Sequence, residues 1–163
     1  MGAKSQHLQI RVTPREKALL KRAAAAAGQD LSTYVLARAI PPARVRFAEL
    51  VTLLGDDTDR RYVLAELNDF LAALAPAELR DAVPHAELGS LSPFLRNYVA
   101  AMVEQASHLA GVPAPSWTRD IPPLEAPWFA TPLKSLRLHL LRAAPVPFKR
   151  RNLFVDASVG SRV

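Results

Sequence analysis

Residues 7–40 read HLQIRVTPREKALLKRAAAAAGQDLSTYVLARAI. The first six letters alternate polar His7, Gln9 and Arg11 with apolar Leu8, Ile10 and Val12, the period-two pattern of a strand with one buried face. No hairpin turn follows to bring a second strand alongside, so the edges of such a strand lack a partner within the chain. Thr13-Pro14-Arg15-Glu16 then predicts a helix start, with Thr13 as cap, proline at the first helical position and Glu16 closing a capping box. Leu19, Leu20, Ala23, Ala24 and Ala27 form an apolar stripe that ends at Gly28. A second helix from Leu31 to about Ile40 carries Leu31, Tyr34, Val35 and Ala39 on its stripe.

Forty residues hide too little surface to cover two helical stripes and both edges of a strand. Two copies remove the difficulty: antiparallel pairing of their strands would lay Leu8, Ile10 and Val12 onto four helices and leave His7, Gln9 and Arg11 on the opposite face. A two-stranded ribbon fits the DNA major groove, where Gln pairs with adenine and Arg with guanine in bidentate fashion.

The strand, the R-V-[ST]-P-x-E-K start, the alanine-rich helix and the G-x-[ST]-L-S-x-[FY]-V pattern together resemble a ribbon-helix-helix DNA-binding domain of the antitoxin branch, over residues 5–40. The resemblance implies a homodimer built on an intersubunit ribbon, with the order above dimer on DNA left open. It implies base reading by His7, Gln9 and Arg11, and a backbone clamp at the start of the second helix, Leu31, Ser32 and Thr33. Free amides and the dipole of a helix start attract phosphate, in keeping with that clamp. Asp30 departs from the Ser or Thr of many relatives. A carboxylate caps a helix but repels phosphate, which shifts the expected contact toward Ser32 and Lys4.

Charge agrees with a polyanion partner at the front of the chain. Residues 1–40 hold seven Lys/Arg against Glu16 and Asp30, a balance of +5, while the remaining residues add only +1 to the total of +6. Cysteine is absent, which excludes disulfides, thiolate metal sites and cysteine nucleophiles. No apolar run approaches the roughly 18 residues of a membrane span, and the first residues lack the apolar core of a signal peptide. The expected address is the cytoplasm, with no membrane partner.

Proline divides the chain. Pro14 is the only one among the first 40 residues, and Pro41-Pro42 opens the other thirteen. A module at 1–40 and a mainly helical domain at 44–163 follow. ARVRFAELVTLLG, DRRYVLAELNDFLAALAP and SPFLRNYVAAMVEQASHLAG predict three amphipathic helices, the third capped by Ser92 and ended by Gly111. Asp56, Asp57 and Asp59 precede a helix and read as dipole-compensating acids rather than a metal cluster. Residues 112–132 are too rich in proline for a helix and read as extended chain. LKSLRLHLLRAA predicts another helix, and the basic tail 147–163 a short strand. The expected fold class is thus mainly α, a ribbon-helix-helix followed by a small helical domain.

No catalytic constellation emerges. His7, His85, His108 and His139 are scattered, no nucleophile elbow surrounds Ser90 or Ser92, and six dispersed glycines form no phosphate loop. No enzyme, metal or cofactor is expected. The unusual stretch is C-terminal: Trp117, Trp128 and Phe129 in or beside extended chain suit the wrapping of a partner surface, or else fold back onto the protein's own helices. Lys149, Arg150 and Arg151 stand directly before Leu153 and Phe154, as a strand offered to a partner or as a surface strand with solvated charges. This region is similar to the C-terminal part of antitoxins encoded beside nucleotidyltransferase-type toxins. That likeness implies a toxin-neutralising role for these residues and an operator-binding, autoregulatory role for the N-terminal module. The alternative is a repressor whose C-terminal domain senses a small effector.

Overall fold

In the computed structural model, which describes residues 9–56 and 59–157, the first regular element is a helix. Residues 9–13 carry no secondary structure and Gln9, Ile10, Arg11 and Val12 are exposed; His7 and Leu8 of the expected strand lie outside the described residues. This overturns the ribbon. Alternation fixes which side chains would share a face, but a strand exists only where its N–H and C=O groups find a ladder, and residues 9–12 have none.

Local signals act as their chemistry requires in helix α1 (Pro14–Ala26). The Glu16 amide donates to Thr13 Oγ1 at 3.3 Å and the Thr13 amide donates to Glu16 Oε2 at 2.7 Å, a complete capping box. These bonds hold the Glu16 carboxyl below its usual range. Gly28, at φ +65°, lets the Gln29 amide reach back to the Ala24 carbonyl and its own amide to that of Ala25, a Schellman ending. Helix α2 (Leu31–Ala39) is capped by Asp30, whose Oδ1 accepts from the Thr33 amide at 3.0 Å. The two helices pack together, with Ala24 buried and Leu20, Leu31, Tyr34 and Val35 half-buried.

Between Ile40 and Pro41 the chain divides into two compact units. The second contains α3 (Pro42–Gly55), α4 (Arg60–Ala73), α5 (Pro76–Ala82), α6 (Pro93–Leu109), a 3₁₀ turn (Ser116–Asp120), strand β1 (Trp128–Phe129), α7 (Lys134–Ala143), α8 (Val146–Lys149) and strand β2 (Leu153–Phe154). Helix α3 buries Phe47, Leu50, Val51 and Leu54 at i, i+3, i+4 and i+7 against α4 and α5. Each such side chain contributes about 1.5–3 kcal/mol by leaving water. Helix α6 is buried on several sides, through Leu95, Val99, Ala100, Ala101, Met102 and Val103, and so serves as the pillar against which α4, α8 and the 3₁₀ turn lean. Ser92 caps it and Gly111, at φ +66°, ends it. Asp59 precedes α4 in the left-handed region without a side-chain capping bond, so that acid does not cap by hydrogen bonding.

The same core takes in Phe148, Leu153 and Val155, which come from α8 and beyond. Tyr98 of α6 meets Phe148 edge-on at 5.4 Å, and burial pushes its hydroxyl pKa up. Strands β1 and β2 pair in parallel, Trp128 with Leu153 and Phe129 with Phe154, with α7 and α8 forming the crossover that parallel strands need.

Candidate functional site

The proline-rich segment and the basic tail, far apart in sequence, meet in space. The Leu124 amide donates to the Arg151 carbonyl at 3.3 Å, and the Asn152 side-chain amide returns a bond to the Leu124 carbonyl at 2.6 Å. Asn152 adopts φ +58°, a left-handed conformation that Asn tolerates better than most residues and that turns the chain from α8 into β2. The Trp128 and Ala130 amides then donate to the carbonyls of Asn152 and Phe154.

Arg151 is the knot of this strap. It is only 6 % exposed, and its guanidinium donates to Glu104 Oε1 at 2.7 Å, to the Thr118 and Ile121 carbonyls and to Asn97 Oδ1 at 3.3 Å. Asn97 in turn donates to the carbonyls of Pro93 and Pro122. One buried cation thereby ties α6, the 3₁₀ turn and the extended chain together, and Glu104 balances its charge. Its Nε has no partner, so the network is one bond short of complete.

The residues singled out by sequence separate into two groups. Trp117 donates its indole N–H to the Val83 carbonyl at 2.9 Å and packs on the main core. Phe129 stacks on Phe154 at 4.9 Å beneath the Arg137 guanidinium, and Phe154 is buried. With Arg151, these three work inside the fold. Trp128, resting on Phe94 with a centroid distance of 4.8 Å, keeps part of its ring exposed. Arg150 is exposed, and half-buried Lys149 donates to the Arg142 carbonyl.

In the first unit, Gln9 and Arg11 are exposed on irregular chain, while His7 and Lys4 lie outside the described residues. Leu31 is half-buried and Ser32 and Thr33 are exposed at the start of α2; the Thr33 amide is engaged by Asp30. Leu19, Leu36 and Ile40 expose large apolar surface in the same unit.

Sequence reasoning about the site passed over α7. From 126 to 155 the chain holds six Lys/Arg and no Asp or Glu, whereas residues 41–125 hold seven basic and twelve acidic residues, a contrast of +6 against −5. That change of sign was the available signal. Near α4, α5 and α6 lies a cavity of about 270 Å³ lined by Leu71, Leu74, Met102 and Leu109, with Asn68 as its polar side chain. Its volume is just under the range usual for ligand pockets, roughly 300–1,000 Å³. Among the described residues no cluster of three His, Asp or Glu is placed to hold a metal, and no helix is long and apolar enough to cross a membrane.

A family model described as antitoxin TacA 1-like matches residues 7–87, from ahead of α1 to just past α5. The match covers just under half of the chain and supports an antitoxin. No curated protein and no solved structure matches the chain.

Proposed function

We propose that this protein is the antitoxin of a prokaryotic toxin–antitoxin pair, acting in the cytoplasm, which binds and neutralises a cognate toxin of the nucleotidyltransferase type and represses its own operon through operator DNA. The observation that carries this reading is the antitoxin family match over residues 7–87. The division of the chain supports a division of labour. The first unit is small and basic, and a second copy over Leu19, Leu36 and Ile40 would give it the partner its exposed apolar side chains lack. Its polar residues Gln9 and Arg11, with His7 and Lys4, have the chemistry for base edges and phosphates, and Leu31 and Ser32 at the start of α2 suit the phosphate backbone. The Thr33 amide bonded to Asp30 is a weaker candidate for that backbone contact.

Toxin contact falls to the second unit, where Trp128, Lys149 and Arg150 reach solvent while Trp117, Phe129, Arg151 and Phe154 hold the fold that carries them. A nucleotide-handling cleft is charged, and cations beside an aromatic anchor complement its carboxylates. The test is growth of cells that express the cognate toxin together with this chain. Lys149→Glu with Arg150→Glu should abolish protection while binding to operator DNA stays within about twofold, since surface charges act locally. Full protection by that double variant, at equal protein level, would refute the tail contact.

A further inference from the structure

Helix α7 is fastened by one side only. Leu140 and Ala144 are buried with Phe154, and Phe129 flanks them. Turned away from that seat, with Leu141 nearest to it, Lys134, Leu138, Leu141 and Arg142, at i, i+4, i+7 and i+8, share a single helical face, and all four are exposed. Leu138 is 67 % and Leu141 41 % exposed, in a unit with a well-filled core elsewhere. Leu133 and Val146, at the two ends of the helix, and Leu136, on another of its sides, are exposed as well, so this stretch of sequence leaves most of its large apolar side chains in water.

We propose that the outer face of α7 is a docking site for an acidic amphipathic helix of a partner protein. The arrangement of the four residues selects that chemistry. A helix that lies on an anionic membrane keeps its leucines on one face and its cations on the other. Here leucine and cation interleave on the same face, so burial in lipid would drag Lys134 and Arg142 with the leucines. Nucleic acid rewards cations and aromatic rings but gains nothing from bare leucines. A protein helix bearing leucines interleaved with carboxylates satisfies every group: the leucines pack and the carboxylates meet Lys134 and Arg142, since no Asp or Glu falls between 126 and 155 and Asp156, next along the chain, lies against His139 at 3.9 Å. Arg137, held over the Phe129 ring, sits beside this face and adds to its potential. Only the identity of the partner as the toxin rests on the antitoxin reading; the chemistry of the face does not.

The experiment uses the full chain and a labelled synthetic helical peptide with leucine at i, i+4 and i+7 and glutamate elsewhere, beside a counterpart with lysine in place of glutamate. Anisotropy at physiological salt should show binding of the acidic peptide alone. Leu138→Glu with Leu141→Glu should weaken it at least about tenfold, as expected for central apolar anchors. Leu138 is mostly in water and Leu141 partly so, and Leu138→Glu alone should weaken binding severalfold with thermal unfolding that matches wild type, which excludes misfolding as the cause. Lys134→Glu with Arg142→Glu should transfer the preference to the lysine peptide. The proposal is overturned if the acidic peptide does not bind, or if its binding survives the leucine substitutions. It is equally overturned if vesicles of phosphatidylcholine and phosphatidylglycerol, or random-sequence duplex DNA, bind through Leu138 and Leu141 in place of the peptide. No toxin enters this experiment, so its failure leaves the growth assay as a separate test of the antitoxin reading.

Discussion

Arg151 shows what a single side chain can be asked to hold. A guanidinium inside a protein survives only with a counter-charge and acceptors for its donors, and Glu104, Asn97 and two backbone carbonyls supply them. Removing the cation leaves Glu104 largely buried without its partner. Arg151→Ala should therefore lower the stability of the second unit by about 3–5 kcal/mol in urea unfolding. Arg151→Lys should rescue little of it, because an ammonium cannot fork to acceptors on three segments. Arg151→Met combined with Glu104→Gln should recover most of the loss, since no unpaired charge remains. A loss under about 1 kcal/mol for Arg151→Ala would mean that Glu104 behaves as a surface carboxylate.

At the scale of elements, the strap formed by β1 and β2 depends on two rings and a few backbone bonds. Two-residue strands have almost no stability of their own, so the stack of Phe129 on Phe154 fastens them. Phe129→Ala should raise the hydrogen-exchange rates of the Trp128 and Ala130 amides by at least about tenfold, while amides in the middle of α6 keep their protection. Equal loss of protection in α6 would show that strap and pillar open as one. Elements written in local chemistry were legible in the sequence: Thr13 with Glu16, Ser92, and the glycines at 28 and 111 mark helix ends because capping involves residues a few positions apart. Helix α5, seven residues long, was missed because so short a segment shows too little of a periodic stripe. The N-terminal strand was misread because alternation describes side chains, whereas pairing depends on a distant backbone. Arg151 looked like a surface charge because its partner Glu104 lies 47 positions away and adjacency in sequence says nothing of it. The leucines of α7 read correctly as helix, but which of them face water depends on how Leu140 and Ala144 seat the helix.

At the scale of the molecule, the second unit is closed by its latest residues. Phe148, Leu153 and Val155 belong to the same core as Phe47 and Leu50 of α3, so contacts across some 100 positions finish what local helices begin. A chain ended after Pro147 should keep helical far-ultraviolet circular dichroism, lose near-ultraviolet signal and bind a hydrophobic dye, the marks of a core without fixed packing. Native-like cooperative unfolding of that fragment would count against the tail as a structural part. The arrangement also sets a clock during synthesis. When the ribosome has added Glu104, Arg151 is still 47 residues from being made, an interval of roughly 2–9 s at ordinary elongation rates. Throughout that interval the second unit lacks Phe148, Leu153 and Val155 of its core and leaves apolar surface open, so a product cut short before Arg151 is expected to be degraded faster than the full chain, which a pulse-chase comparison of the two would read.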